Sequence, residues 1–211
     1  KTNMIGGAGM VTLERIMSVP KDELQETAKA LNQEDLPQLV EWLSLKDDAV
    51  RYQAFLLLQN RSLFFDDVYP YWGAFRDKLK SDNSYQRNIG LLLIAENVVW
   101  DAENRMEDTL DEYLRLLNDE KPITIRQCIQ SLGKIVSAKP DLIGEIVPHL
   151  ISFDLMSVKE TMRKSILLDL LHVLLAVKKE YGTEEIERFL LQALSGEILD
   201  KKSKRQIEML L

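Results

Sequence analysis

Few residues in this chain are equipped for chemistry. It holds one cysteine, Cys128, and two histidines, His149 and His172. The histidines stand 23 positions apart, and neither has a second ligand type at i+3 or i+4. That spacing does not describe a metal site. His172, in Leu170-Leu171-His172-Val173-Leu174, reads as a core or groove-edge histidine. Cys128, in Arg126-Gln127-Cys128-Ile129, reads as a small buried thiol on a helix. A nucleophilic thiol needs a neighbouring base and access, and neither is visible. Gly6-Gly7-Ala8-Gly9 has the composition of a phosphate loop. It lacks both a preceding strand and a following Gly-Lys-Ser/Thr. The residues therefore predict no cofactor and favour a non-enzymatic module over an enzyme.

Two charged sets remain. The run from Asp101 to Glu120 carries eight acids and two bases. It reads as the solvated outer face of a helix, or else as a docking patch for a basic partner. The second set is a column of arginines, Arg51, Arg87, Arg126 and Arg163, separated by 36, 39 and 37 residues. A guanidinium presents a rigid fork to carboxylates and carbonyls. The acids Asp47/Asp48 and the pair Asp82/Asn83 lie just upstream of the first two arginines. One reading makes the column structural, each arginine bonding the turns. The other places the arginines, with the next column of Tyr52, Asn88, Gln127 and Lys164, on a binding face.

The elements that carry these columns are helices. Apolar residues recur at i, i+3, i+4 and i+7, as in Leu36, Leu39, Val40 and Leu43. Strand alternation bounded by turn residues is missing. About ten to twelve helices are expected, joined by tight turns. Asp47, Asp82, Asp141 and Thr183 are expected N-caps, and Pro122 fits a first helical position. The position three after each arginine is Ala54, Gly90, Ile129 or Ile166, small or aliphatic as close helix packing requires.

A period near 37 residues, built from helix pairs, marks a repeat architecture. Pro37, Asp47/Asp48, Val50-Arg51 and Ala54 resemble the HEAT-like repeat family. The stretch from Tyr85 to Trp100-Asp101 is similar to bacterial HEAT-like proteins. The resemblance implies an all-α fold, a right-handed α-α superhelix (solenoid) of about five HEAT-like helix pairs. It spans residues 10–211 as a single domain, with residues 1–9 read as a flexible leader or tag remnant. It also implies a binding surface along the second helices. A more distant similarity is to HEAT-like DNA glycosylases that act on alkylated bases. In that mould Trp100 and Asp101 form an aromatic/acid pair beside Arg126 and Arg163.

The 211 residues carry 27 bases and 34 acids, a net charge of −7. Nucleic-acid binding depends on neutralising phosphates, so the charge ranks DNA below a protein or peptide partner. No stretch is long and apolar enough to cross a membrane. With one thiol and no export signal, the expected compartment is the cytoplasm. Aromatics gather at Tyr52, Phe55, Phe64, Phe65, Tyr69, Tyr71, Trp72 and Phe75, read mostly as core with a possible partner patch. The apolar finish Ile207 to Leu211 raises a homodimer through the C-terminal helix. The function expected is a scaffold that binds protein or peptide, with a repair-glycosylase relative as the alternative.

Overall fold

A computed structural model describes residues 11–211. Residues 1–9, the expected leader, lie outside the described residues. The described chain is helical, with twelve α-helices and short 3₁₀ turns between them. Its described residues pack as two compact units, one ending at Arg105 and one running from Met106 to Leu211.

In the first unit, α1 (Leu13–Met17) and α2 (Leu24–Ala30) lie against α4. Two pairs follow, α3 (Leu36–Trp42) with α4 (Asp48–Ser62), and α5 (Trp72–Lys78) with α6 (Ser84–Asn97). The second helices α4 and α6 pack on each other. In the second unit the pairs are α7 (Arg105–Leu114) with α8 (Pro122–Ala138), α9 (Ile143–Ile151) with α10 (Glu160–Tyr181), and α11 (Glu184–Ser195) with α12 (Lys201–Glu208). There the second helices α8 and α10 are in contact. The five pairs expected from the period are all present. The first helices are short, several of only two turns, so the register of the long second helices sets the repeat.

The caps explain where the helices begin. Asp47 accepts from the amides of Ala49 and Val50, and Thr183 from that of Ile186. Pro122 opens α8, where its missing N–H costs nothing. Two expected caps move. Asn83, not Asp82, caps α6, because its side chain accepts the Tyr85 amide at 2.8 Å. Asp141 lies inside a 3₁₀ turn that starts at Pro140. The proline begins the turn one residue earlier than the acid can.

Each core is aliphatic and aromatic. Trp72, Phe75, Leu91 and Ile94 fill the first unit, and Ile129, Leu132, Leu170 and Leu174 the second. Gly90 is fitted to its place in α6. A Cβ there would strike the Phe75 backbone carbonyl and approach the Lys78 Cβ to 2.9 Å. Gly90→Ala therefore forces α5 and α6 apart. Overpacking of this kind costs about 1–3 kcal/mol, readable as a fall in the urea midpoint. An unchanged midpoint would show that the two helices separate at no cost.

Candidate functional site

Three of the four column arginines hold the turn before their own helix. Arg51 is 8% exposed, and its guanidinium bonds the Leu45 carbonyl at 3.1 Å and the Asp48 carboxylate. Arg87, equally buried, donates to the carbonyls of Ser81 at 2.9 Å and Asp82 at 3.2 Å. Arg163 donates to the carbonyls of Val158 at 3.2 Å and Met156 at 3.4 Å. The fourth is different. Arg126 on α8 reaches Asp169 on α10 through two bonds of 2.7 and 3.2 Å, and that bond raises the guanidinium pKa further. Gln130 donates to the same carboxylate. At Asp82 the turn partner is the backbone carbonyl, not the carboxylate that the sequence points to.

The next column is placed differently in each unit. Tyr52 on α4 is 60% exposed, and Asn88 on α6 is half-buried. Tyr85, one turn before Asn88, is 62% exposed, and the Arg51 guanidinium lies over its ring at 5.2 Å. Further along the same helices, Gln59 on α4 donates to Glu96 on α6 at 3.4 Å. Leu56 and Leu92 are half-buried, while Leu63 and Val99 beyond the helix ends are exposed. The first unit thus shows two tyrosines and a set of aliphatic side chains along its second helices. In the second unit Gln127 is half-buried, with its Oε1 buried and without a hydrogen-bond partner among the described residues. Lys164 is ion-paired with Asp200, and this bond holds the carboxyl well below the usual range.

Cys128 is fully buried, its Sγ 3.5 Å from the Tyr113 carbonyl, and burial pushes the thiol well above its ordinary pKa. His149 and His172 are exposed on α9 and α10. Among the described residues no three His, Cys, Asp or Glu side chains gather as a metal site. No described helix is long and apolar enough to cross a membrane. Of the expected aromatic cluster, Phe55, Tyr69, Trp72 and Phe75 are core. Phe64 and Phe65 are partly exposed, and each carries a cation on its ring, Lys29 at 4.3 Å and Arg61 at 3.9 Å.

Trp100 and Asp101 are bound into the first unit. The Trp100 indole donates to the Ser62 carbonyl at 2.7 Å. Asp101 is 6% exposed and accepts from the Tyr69 hydroxyl at 2.6 Å and the Arg105 amide at 2.9 Å. The glycosylase mould needs an open acid beside an exposed tryptophan. The pair does not have that geometry, because the fold has enclosed the acid with donors.

Burial first, then the bond and charge of Asp101, raise the Tyr69 pKa to about 12. A free tyrosine ionises near pH ~10. A raised folded value means the folded state keeps this proton longer. The stabilisation is whole below the unfolded pKa and is lost as pH climbs from there towards 12. Urea midpoints measured on both sides of that window should fall more for the wild type than for Tyr69→Phe. Equal falls would remove Tyr69 as the titrating group.

No family model and no curated protein matches the chain. Solved structures do. A designed armadillo repeat protein in complex with the peptide (KR)4 superposes with a TM-score of 0.64 at 14% identity, covering 94% of this chain and 88% of that one. An engineered protein from the Northeast Structural Genomics Consortium gives a TM-score of 0.54 at 17% identity, covering 94% and 85%. At these identities the likeness concerns the fold. The fold is an armadillo/HEAT-like α-solenoid.

Proposed function

We propose that this chain is a non-enzymatic scaffold that binds an extended basic peptide along the second helices α4 and α6. The observation that carries the reading is the pair Tyr52 and Tyr85, both more than half exposed while the arginines behind them are engaged with the protein itself. An exposed large aromatic is costly to leave in water and useful against a partner. A tyrosine face also attracts a lysine or arginine side chain. The net charge of −7 draws a basic ligand inward. The armadillo protein of similar fold is in complex with a basic peptide, which offers a precedent on this architecture.

In this reading Tyr52, Tyr85 and Asn88 touch the peptide. Arg51 and Arg87 fix the helix starts that present them. In the second unit Gln127, whose Oε1 has no partner among the described residues, is proposed for the same task, while Lys164, like Arg126 and Arg163, is engaged with the protein itself. A labelled (KR)4 peptide and an acidic peptide of equal length, titrated by fluorescence anisotropy, test the reading. Saturable binding of the basic peptide, weakened by salt, and none of the acidic one is expected. Equal affinity for both, or none for either, would overturn it.

A further inference from the structure

A second feature of the first unit is not explained by peptide binding. Between α3, α5 and the turns that follow them lies a cleft of about 650 Å³, lined by Ser44, Lys46, Arg51, Lys78, Ser81 and Asn83 among others. Lys78 is its centre. The ammonium is half-buried and donates to the Ser44 hydroxyl at 2.9 Å and the Gln86 side-chain oxygen at 2.5 Å. Both acceptors are neutral. Lys78 pairs with no carboxylate among the described residues. Burial and the neighbouring Arg51 lower its pKa.

The Lys78 ammonium is thus held in place by two neutral acceptors, with a charge that no carboxylate neutralises. The lining carries three cations, Lys46, Arg51 and Lys78, against two acids. Arg51 adds a second charge, although Asp48 offsets part of it. Lys46 stands at the rim. The 14-residue helix α6 begins at the cleft, with its N-terminal amides and positive dipole end near Asn83. Two acids also line the cleft, Glu41 and Asp77, and both are exposed to water.

We propose that this cleft binds a phosphate group, with Lys78 as its principal charge and Ser44, Ser81 and Asn83 as hydrogen-bonding partners. A tetrahedral oxyanion supplies the counterion Lys78 lacks and accepts from several donors at once. The proposal goes beyond the peptide-binding reading and does not depend on it, since Tyr52 and Asn88 do not line the cleft.

The test uses the full chain and inorganic phosphate. Amide NMR shifts are followed as phosphate is added, with chloride at matched ionic strength as the blank and acetate as a second arm. A saturable shift at Ser44, Ser81 and Asn83 is expected with phosphate. Lys78→Gln should weaken it roughly tenfold or more, the loss typical of one charge-assisted hydrogen bond. Lys78→Gln also keeps a donor towards Ser44, so the variant should fold, and its unfolding midpoint checks that. Absence of a saturable shift overturns the proposal, and so does an equal affinity in Lys78→Gln. Saturation by acetate at the same affinity as phosphate also overturns it, assigning the cleft to carboxylates instead.

Discussion

Asp67→Ala should cost this protein about 3–5 kcal/mol, the penalty for leaving one member of a buried ion pair alone. Arg61 lies in the last turn of α4, and Asp67 in the turn that follows. Their side chains are each 8% exposed and meet through two bonds, of 3.1 and 2.7 Å. The same guanidinium donates to the carbonyls of Ala28 and Lys29 at 3.1 and 2.8 Å, at the end of α2. Phe65 covers its face. One arginine thus ties α2, α4 and the connection to α5. Without Asp67 its charge stays buried with only neutral acceptors. Asp67→Asn keeps an acceptor and loses the charge, so its midpoint should fall between those of the wild type and Asp67→Ala. Urea denaturation of the three proteins decides the matter. A loss below about 1 kcal/mol for Asp67→Ala, the scale of a surface pair, would mean that water reaches the guanidinium.

The double variant Tyr52→Ala/Tyr85→Ala should weaken binding of a basic peptide about thirtyfold or more. Truncating an aromatic anchor at the centre of an interface costs about 2 kcal/mol or more, and about 1.4 kcal/mol is tenfold. Both rings are exposed, so the fold should lose only about 0.5 kcal/mol, as surface changes do. The variant leaves the net charge untouched. That separates a seated peptide from one held by the general attraction of an acidic chain. Unchanged affinity with lost salt dependence, or no change at all, would remove the tyrosines from the interface.

Much of this architecture is legible in the residues. The arginine column falls at the first turns of α4, α6, α8 and α10, and Gly90 lies where two helices touch. What the spacing does not reveal is which partner each guanidinium takes. Arg126 occupies the column position yet bonds Asp169, 43 residues away, and no local pattern announces a contact at that distance. The buried polar cluster of the first unit is a clearer case. Counting ten residues on from each arginine gives Arg61, Asn97, Val136 and Val173. The first two are buried polar side chains, and Asn97 donates to the Ser62 hydroxyl at 3.0 Å. The last two are buried and apolar. Neither polar residue stands out in the sequence, because a polar residue inside a helix reads as solvent-facing until its packing is known. The exposure of Tyr85 is obscured for the opposite reason. Aromatics near an apolar stripe read as core, whereas here the ring lies outside it, over Arg51.

Hydrogen–deuterium exchange of the chain with and without saturating (KR)4 peptide tests the binding face most directly. The acidic face of α7, with Glu107, Asp108 and Asp111 exposed, is the competing surface for a basic ligand. Protection concentrated on α4 and α6, over the peptides containing Tyr52 and Tyr85, is the result this account predicts. Protection over α7 with α4 and α6 unchanged would contradict it and move the interface to the charge run.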